Sequence, residues 1–424
     1  MKEKPLPPSW SWVKLGEICK KVEKVRNPNE DEQFSYLDIG GINNHSNKVE
    51  SFKQYKWKNA PSRAKQIVQS DDILFSTVRT YLKNIARVPK SSELQIASTG
   101  FCVIRPDLYR VVSDYVFYFT LSKDFLERLN TLQTGSSYPA VRDRDVFNQK
   151  IPLPPLQEQH RIVEKIEELF SELDNGIDNL KKAKAQIKTY RQAVLKTAFE
   201  GKLVQGKGQK VKGKSENGEL PEGWEWVKLG ALINFIGSGA TPRGGRSVYK
   251  NGGIIFIRSQ NVYPNELRLE DVAYISEEIN HQLKRSIVKP YDVLLNITGA
   301  SIGRATYIPK IFQPANVNQH VCIIRTSHEK VEPKYLSSFL NSPFAQDYIA
   351  RIQIGATRQA LNYSQIKNFP FPLAPIKQQA QIVEEIEKRF SVADKMEAAI
   401  DESLKKAEAL RQSILKQAFE GKLV

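Results

Sequence analysis

A chain of 424 residues with 40% hydrophobic side chains and a formal net charge of +16 is long enough for two or three domains with ample core. No run approaches the ~18 consecutive apolar residues of a membrane span, and the start, MKEKPLPPSW, lacks the apolar stretch of a signal peptide, so a cytoplasmic protein is expected. Cys19, Cys102 and Cys322 fit neither a disulfide framework nor a zinc spacing, and the matching runs FCVIRP and VCIIRT make the last two buried strand residues.

Residues 13 to 150 read as a mixed domain. Short β-like runs (Phe34 to Ile39, Ile73 to Thr77, Phe101 to Ile104) alternate with turn signals and one helical stretch, Ser113 to Leu132. Prolines in IPLPPL, from Ile151, then hand over to a long helix. Between Leu156 and Phe199, Ile166, Leu173, Leu180, Ile187 and Val194 recur every seven residues, with Ile162, Leu169, Gly176, Ala183 and Tyr190 between them. That is a coiled-coil seam on a rod on the order of 65 Å long, stopped at Gly201. Residues 205 to 223 are rich in glycine and lysine with almost no apolar side chain, which predicts a flexible linker. A second domain follows over 224 to 370, and a second rod over 371 to 424, whose apolar stripe runs from Ile376 to Phe419 with Ile382, Ile386, Ala393, Met396, Ile400, Ala407, Leu410 and Ile414 at the same phases. The division is therefore 1–150, 151–204, 205–223, 224–370 and 371–424.

The whole chain is a tandem duplication. A shift of 220 aligns Asp72 with Asp292, Cys102 with Cys322, Arg105 with Arg325, Gly135 with Gly355 and Phe199 with Phe419, and each copy ends in AFEGKLV. At the front, Trp10-Ser-Trp-Val-Lys-Leu-Gly matches Trp224-Glu-Trp-Val-Lys-Leu-Gly at a shift of 214, which predicts six extra residues in the loop around Gly239 to Gly253. One unit repeated twice implies internal pseudo-twofold symmetry. Each rod is acidic in its first half and basic in its second, more weakly in the second copy. Antiparallel packing would set each acidic half against a basic one, although the same order also complements the helix dipole.

Charge is unevenly placed. Residues 13 to 150 hold 22 Lys+Arg against 16 Asp+Glu, and residues 227 to 370 hold 17 against 9, whereas the rods are nearly neutral. Two basic domains on neutral rods point to a polyanion bound twice. Two pairs of loop-like blocks match in position but differ in side chain. Ser76, Thr77, Arg79, Thr80, Lys83 and Asn84 match the block holding Thr298, Ser301 and Arg304. Ser136, Ser137 and Arg142 match the block holding Thr357, Arg358, Gln359 and Asn362. Arg243 and Arg246 add charge in the basic loop GSGATPRGGRS. Arginine can fork onto guanine, Asn or Gln onto adenine, and Ser or Thr onto phosphate, so these are the candidate DNA contacts.

No catalytic or metal constellation emerges. GSGATPRGGRS offers Gly-Gly-Arg-Ser where a phosphate loop needs Gly-Lys-Ser/Thr, and no apolar strand is seen feeding it. The five histidines lack metal spacing, and Glu164, Lys165 and Glu167 read as solvated rod positions rather than nuclease residues.

These motifs resemble the specificity subunit of a type I restriction-modification system over essentially the whole chain. The carrying residues are Pro221-Glu-Gly-Trp-Glu-Trp-Val-Lys-Leu-Gly, the hinge Ile151-Pro-Leu-Pro-Pro-Leu-Gln-Glu-Gln, its twin Phe371-Pro-Leu-Ala-Pro-Ile-Lys-Gln-Gln, and the repeated AFEGKLV. The first copy departs at Pro8-Ser-Trp-Ser-Trp, without the glycine of the second. The resemblance implies an α+β fold of two target recognition domains joined by two long antiparallel coiled-coil helices. It implies a non-catalytic subunit that reads a bipartite asymmetric site on double-stranded DNA, with the helices setting the spacer. It also implies two methyltransferase (M) subunits docked on the helices, and restriction (R) subunits able to join. S-adenosylmethionine, ATP and Mg would belong to those partners and no cofactor to this chain. The competing classes are an autonomous DNA methyltransferase, for which no segment of sufficient length is free, and an architectural DNA-binding protein, which would not need two divergent surfaces.

Overall fold

The computed structural model describes residues 5–91, 93–135, 137–204, 211–212, 219–352 and 360–424, with only the backbone of 211–212 and of Arg246. Most of the expected linker, 205 to 223, thus lies outside the described residues. The chain divides into two compact units, Met1–Lys181 with Asp401–Val424, and Lys182–Ile400.

In the first unit a four-stranded sheet runs in the order Lys53–Lys56, Gln33–Leu37, Gln95–Ser98, Ala64–Val68 and includes one parallel pair, Gln33–Leu37 with Gln95–Ser98. A second sheet, ordered Cys19–Lys20, Phe101–Pro106, Ile73–Ser76, Ile85–Arg87, is antiparallel throughout. The second unit repeats this plan. Ala273–Ile275, Ile254–Ile257 and Ala315–Val317 form one sheet, and Ile233–Ser238, Val321–Thr326, Val293–Asn296 and Ala305–Tyr307 the other. Each domain is closed at its base by a strand that pairs with the segment just before the long helix, Val13 opposite Ile151 and Val227 opposite Phe371.

Two local expectations change. The strand from Phe34 stops at Leu37, and Ile39–Gly41 is a 3-10 turn. The single helix expected over Ser113 to Leu132 is two, Ser113–Leu121 and Lys123–Asn130. Ser122 breaks it: its extended backbone and its hydroxyl, which accepts from the Phe125 amide, start a new helix by capping. Between Pro333–Leu340 and Pro343–Ile352 the Ser342 hydroxyl likewise accepts from the Ala345 amide. The six-residue insertion falls where expected. The 3-10 turns at Leu15 and Leu229 are offset by 214, those at Ile39 and Ser259 by 220, so the register changes between them.

One ion pair is common to both domains. Arg105 donates to Asp72 at 2.8 and 2.7 Å, and Arg325 to Asp292 at 2.6 and 2.8 Å. Each aspartate also accepts a backbone amide, from Gln69 or Lys289, and each arginine donates to a carbonyl, Ile67 or Ile287. Buried charges are tolerated only when satisfied in this way, and removing one partner costs about 3–5 kcal/mol. Cys102 and Cys322 are fully buried in the same strands as Arg105 and Arg325, and burial pushes the Cys322 thiol up to about 12.

The long helices run Leu156–Phe199 and Ile376–Phe419, the bounds that the apolar period gave. Each starts on its own domain. A fully buried glutamine in the first turn, Gln159 or Gln379, accepts an amide from the domain (Val112 or Glu332) and donates to the hinge carbonyl (Pro154 or Ala374). Beside it, Trp10 donates to Glu158 and Trp224 to Gln378. Each helix ends elsewhere. Phe419 packs into the core of the first domain against Tyr115 and Phe119, with ring centroids 5.2 and 5.1 Å apart. Phe199 packs into the second against Tyr335 and Phe339, at 5.0 and 5.3 Å. The two tyrosines are buried and donate to Pro152 and Pro372.

The helices pack antiparallel in both units, with acidic halves facing basic ones. In the first unit Arg411 pairs with Asp174 and lies over the Phe170 ring at 4.5 Å; in the second Arg191 pairs with Asp394 at 2.5 Å and lies over Phe390 at 5.1 Å. The seam itself needs correcting. Gly176, Tyr190, Met396 and Leu410 are exposed, while Val163, Phe170, Leu195 and Ala198, outside the expected heptad positions, are buried. Near its ends each helix touches a domain as well as the other helix, so the covered stripe there is wider than a two-helix seam.

A half-chain ending at Val204 has no Phe419 to complete its first domain. Its own Phe199, supplied by an antiparallel second copy, is the equivalent plug, and there Arg191 would meet Asp174. Analytical ultracentrifugation should therefore show a dimer at micromolar concentration. Phe199→Ala should cost about 3–5 kcal/mol per ring removed and shift it to a poorly folded monomer. A well-folded wild-type half-chain monomer would show that the plug is dispensable.

Candidate nucleic-acid interface

In each domain the structure joins the two blocks that the sequence offered separately. In the first, the Val141 amide donates to Thr77, the Arg79 amide to Pro139, and Val78 bridges Ala140. In the second, the Leu361 amide donates to Ile297 and Thr298 bridges Ala360. The result is a corner following the strand Ile73–Ser76 or Val293–Asn296, backed by a neighbouring loop.

The candidates within the first corner divide by direction. Ser76, Thr77 and Thr80 are buried and their hydroxyls donate inward, to Val78, Gly100 and Asn130. Asn84 is half-buried, and its carbonyl accepts the Ser76 amide. Arg79 lies over the ring of Tyr138 at 4.8 Å and donates to the Ser137 carbonyl at 3.2 Å, with its Nε buried and unpartnered. Lys83 stands 3.5 Å from Glu408. Ser137 and Arg142 are exposed, the latter at the start of the helix Asp143–Phe147; Ser136 lies outside the described residues. Burial raises the Asp143 carboxyl, against the pull of Lys24. Two aromatics that the sequence pattern did not single out belong here, Tyr81 and Tyr138, at 52% and 71% exposure. The signal was present in the string VRTYLKN, an aromatic set between cations.

The second corner is wired differently. Thr298 shares a hydrogen bond with His320 Nδ1 at 2.6 Å, the other ring nitrogen meets the Gln319 amide at 2.9 Å, and Gln319 accepts from Thr241. This chain ties the corner to the inserted loop, whose Gly239 leaves no room for a side chain: a Cβ there would fall 1.6 Å from the Val317 carbonyl oxygen. Ser301 accepts from Asn296, and Arg304 and Arg268 both lie over the Tyr263 ring, at 5.0 and 3.9 Å. Asn362 caps the helix Tyr363–Lys367 by accepting from the Gln365 amide. Arg243 is exposed. The side chain of Arg246, and Thr357, Arg358 and Gln359, lie outside the described residues.

A strand, Ile233–Ser238, does run directly into GSGATPRGGRS, contrary to expectation, because its apolar residues are interrupted by Asn234. The loop then enters a 3-10 turn, Gly245–Val248, and not the helix whose N-terminus would hold a phosphate. Glu164 is exposed and Lys165 pairs with Glu168 along the same helix. Among the described residues there is no cluster of three or more His, Cys, Asp or Glu that could hold a metal ion, and no helix long and apolar enough to cross a membrane.

Comparison with known proteins places this geometry. Residues 7–189 and 221–406 each match the family model for the type I restriction modification DNA specificity domain. The type I restriction enzyme EcoBI specificity subunit of Escherichia coli is 30% identical over 72% of this chain, a match spanning 65% of the relative's own length. The EcoKI specificity subunit of E. coli K12 is 28% identical over 76% of this chain and 68% of its own. A solved structure described as showing complex assembly and conformational transition of the type I R-M system aligns over 99% of this chain and 100% of its own, with a TM-score of 0.80 and 30% identity. The HsdS subunit from Thermoanaerobacter tengcongensis aligns over 99% and 98% at a TM-score of 0.59 and 29% identity.

If the Thr241–Gln319–His320–Thr298 chain holds the inserted loop, His320→Ala should speed tryptic cleavage at Arg243 several-fold and leave cleavage in the first domain unchanged. An unchanged rate at Arg243 would mean that the backbone alone holds the loop.

Proposed function

Because the chain belongs to the family of type I restriction-modification DNA specificity subunits, we propose that each of its two domains reads one half of a bipartite, asymmetric site on double-stranded DNA and that the long helices set the spacer between the halves. The observation that carries this is the pair of corners. Two copies of one backbone arrangement, on domains that hold nearly all the excess positive charge, present different side chains: Arg79, Tyr81 and Lys83 in one, Thr298, Ser301 and Arg304 in the other. A scaffold reading the same sequence twice would not need to diverge there.

Recognition is then this chain's task and catalysis belongs to partners. Methyltransferase subunits would dock on the helices, carry S-adenosylmethionine and flip the target adenine out of the duplex to methylate it. Restriction subunits using ATP and Mg would join the same core, in the cytoplasm with the cell's DNA. The arginines suit the major groove, where a guanidinium can fork onto guanine; the inward-facing hydroxyls of Ser76, Thr77 and Thr80 hold the corner's shape instead.

Methylation mapping by long-read sequencing, in cells expressing the chain with its methyltransferase, tests both site and ruler. Four residues inserted after Ala183 and four at the repeat-equivalent place after Ser403 add about 6 Å of helix and rotate the distal part of each helix by only about 40°. At ~3.4 Å per base pair the recognised spacer should grow by about one to two pairs, with both half-sites unchanged. The old spacer at full activity would rule out the helices as the ruler, and altered half-sites would mean that they read bases.

A further inference from the structure

The two corners share their backbone down to single hydrogen bonds. The Leu82 amide donates to Arg79 as Ile302 does to Gly299, and Ser76 to Asn84 as Asn296 does to Arg304. In both, the chain passes through the left-handed region at the same two places. In the second domain these are Gly299 and Gly303, with φ of 75° and 87°. In the first they are Arg79 and Lys83, with φ of 49° and 54°.

Only glycine adopts that conformation freely; a side chain brings Cβ against the carbonyl oxygen. The first domain thus keeps two strained residues where its own twin shows that glycine suffices. Within the fold each makes only exposed side-chain contacts in return. Lys83 makes one exposed contact at 3.5 Å with Glu408, the kind that contributes little. Arg79 rests on Tyr138, itself 71% exposed, and on the Ser137 carbonyl, with its Nε unpartnered. Between them Tyr81 is 52% exposed. Strain kept at a surface corner with only exposed side-chain contacts to offset it marks side chains retained for what they meet outside.

We infer that Arg79 is a specificity-determining contact to a base in the first half-site, with Lys83 beside it on the phosphate backbone, and that the second domain, with Gly299 and Gly303 at the equivalent positions, presents no side chain there. This rests on the DNA-reading function proposed above. The Tyr138 ring and the Ser137 carbonyl hold the guanidinium in one plane, which leaves an edge for a bidentate fork and spends no flexibility on binding. Lysine on its flexible stem acts as a point charge.

The test selects bound sequences from a randomised duplex DNA pool with the full chain, alongside thermal melting. Wild type should recover a two-part motif. Arg79→Gly and Arg79→Ala should both keep the second part and lose preference at one or two base pairs of the first, by about 10- to 100-fold. Only the glycine variant relieves the backbone, so it should melt a few degrees above the alanine variant. Lys83→Gly should leave the motif intact, weaken binding across the pool and lower the slope of log affinity against log salt by about one. An unchanged first half, loss in both halves together, or an alanine variant as stable as the glycine one overturns the Arg79 assignment. An unchanged salt slope overturns that of Lys83. A wild-type chain that recovers no motif at all sinks the DNA-reading function itself, and these contacts with it.

Discussion

Each of the two domains is completed by a phenyl ring from the helix of the other repeat. Phe419 sits among Tyr115 and Phe119, and Phe199 among Tyr335 and Phe339, in cores that would otherwise hold a large void. Burying such a ring is worth roughly 1.5–3 kcal/mol by area, and truncating it in place about 3–5. The exchange fixes more than stability. Both helices must be long enough, and correctly phased, to bring their last turn into a core, which is why both run for 44 residues without a break. With the glutamine and tryptophan contacts at its start and the phenylalanine at its end, neither helix is loose at either terminus.

Much of this was legible in the sequence because it is periodic or repeated. The seven-residue recurrence gave both long helices their bounds, the offset of 220 gave the duplication, and the change from 214 to 220 located the insertion. The illegible part lay in relations the linear pattern does not encode. The alignment of Asp72 with Asp292 and of Arg105 with Arg325 was plain, but not that the aspartate and arginine of each copy, 33 residues apart, form a buried pair. AFEGKLV stood out as a repeat without revealing that its phenylalanine crosses to the other repeat's domain. The heptad pattern left Val163 and Ala198 outside the seam because a two-helix pattern has no knowledge of domains packed at the ends, and it counted Tyr190 and Met396 as covered although both are exposed.

The candidate site was legible in position and only partly in side chain. Both blocks of each domain were found, and the structure sets them side by side. Direction was the obstacle. The strand Ile73–Ser76 is buried on both faces, so it has no apolar-polar alternation to tell which way Ser76 and its followers point. Three hydroxyl residues chosen as possible phosphate contacts turn inward, while Tyr81 and Tyr138, unchosen, face out. Hydrogen-bonding chemistry in a loop sequence does not separate a side chain that holds the loop from one that uses it.

The first corner is held mainly by backbone bonds and by residues behind it, and little by the side chains it displays. Asn44 and Asn47 of a neighbouring hairpin donate to the Leu82, Lys83 and Ile85 carbonyls, and the loop at Pro139 accepts from Arg79, so the first corner keeps its course whatever stands at 79, 81 or 83. The buried frame cannot vary so freely, since an unpaired Asp72 or an absent Tyr115 hydroxyl leaves a desolvated group without a partner. This division lets two copies of one sequence diverge in what they present while remaining alike in how they fold. It also sets the limit of that freedom. At the two left-handed positions glycine can be replaced only at a cost in backbone energy, so any side chain found there must do more than fill space, and the contrast between Arg79 and Gly299 is where the two domains differ most sharply in what that cost has been exchanged for.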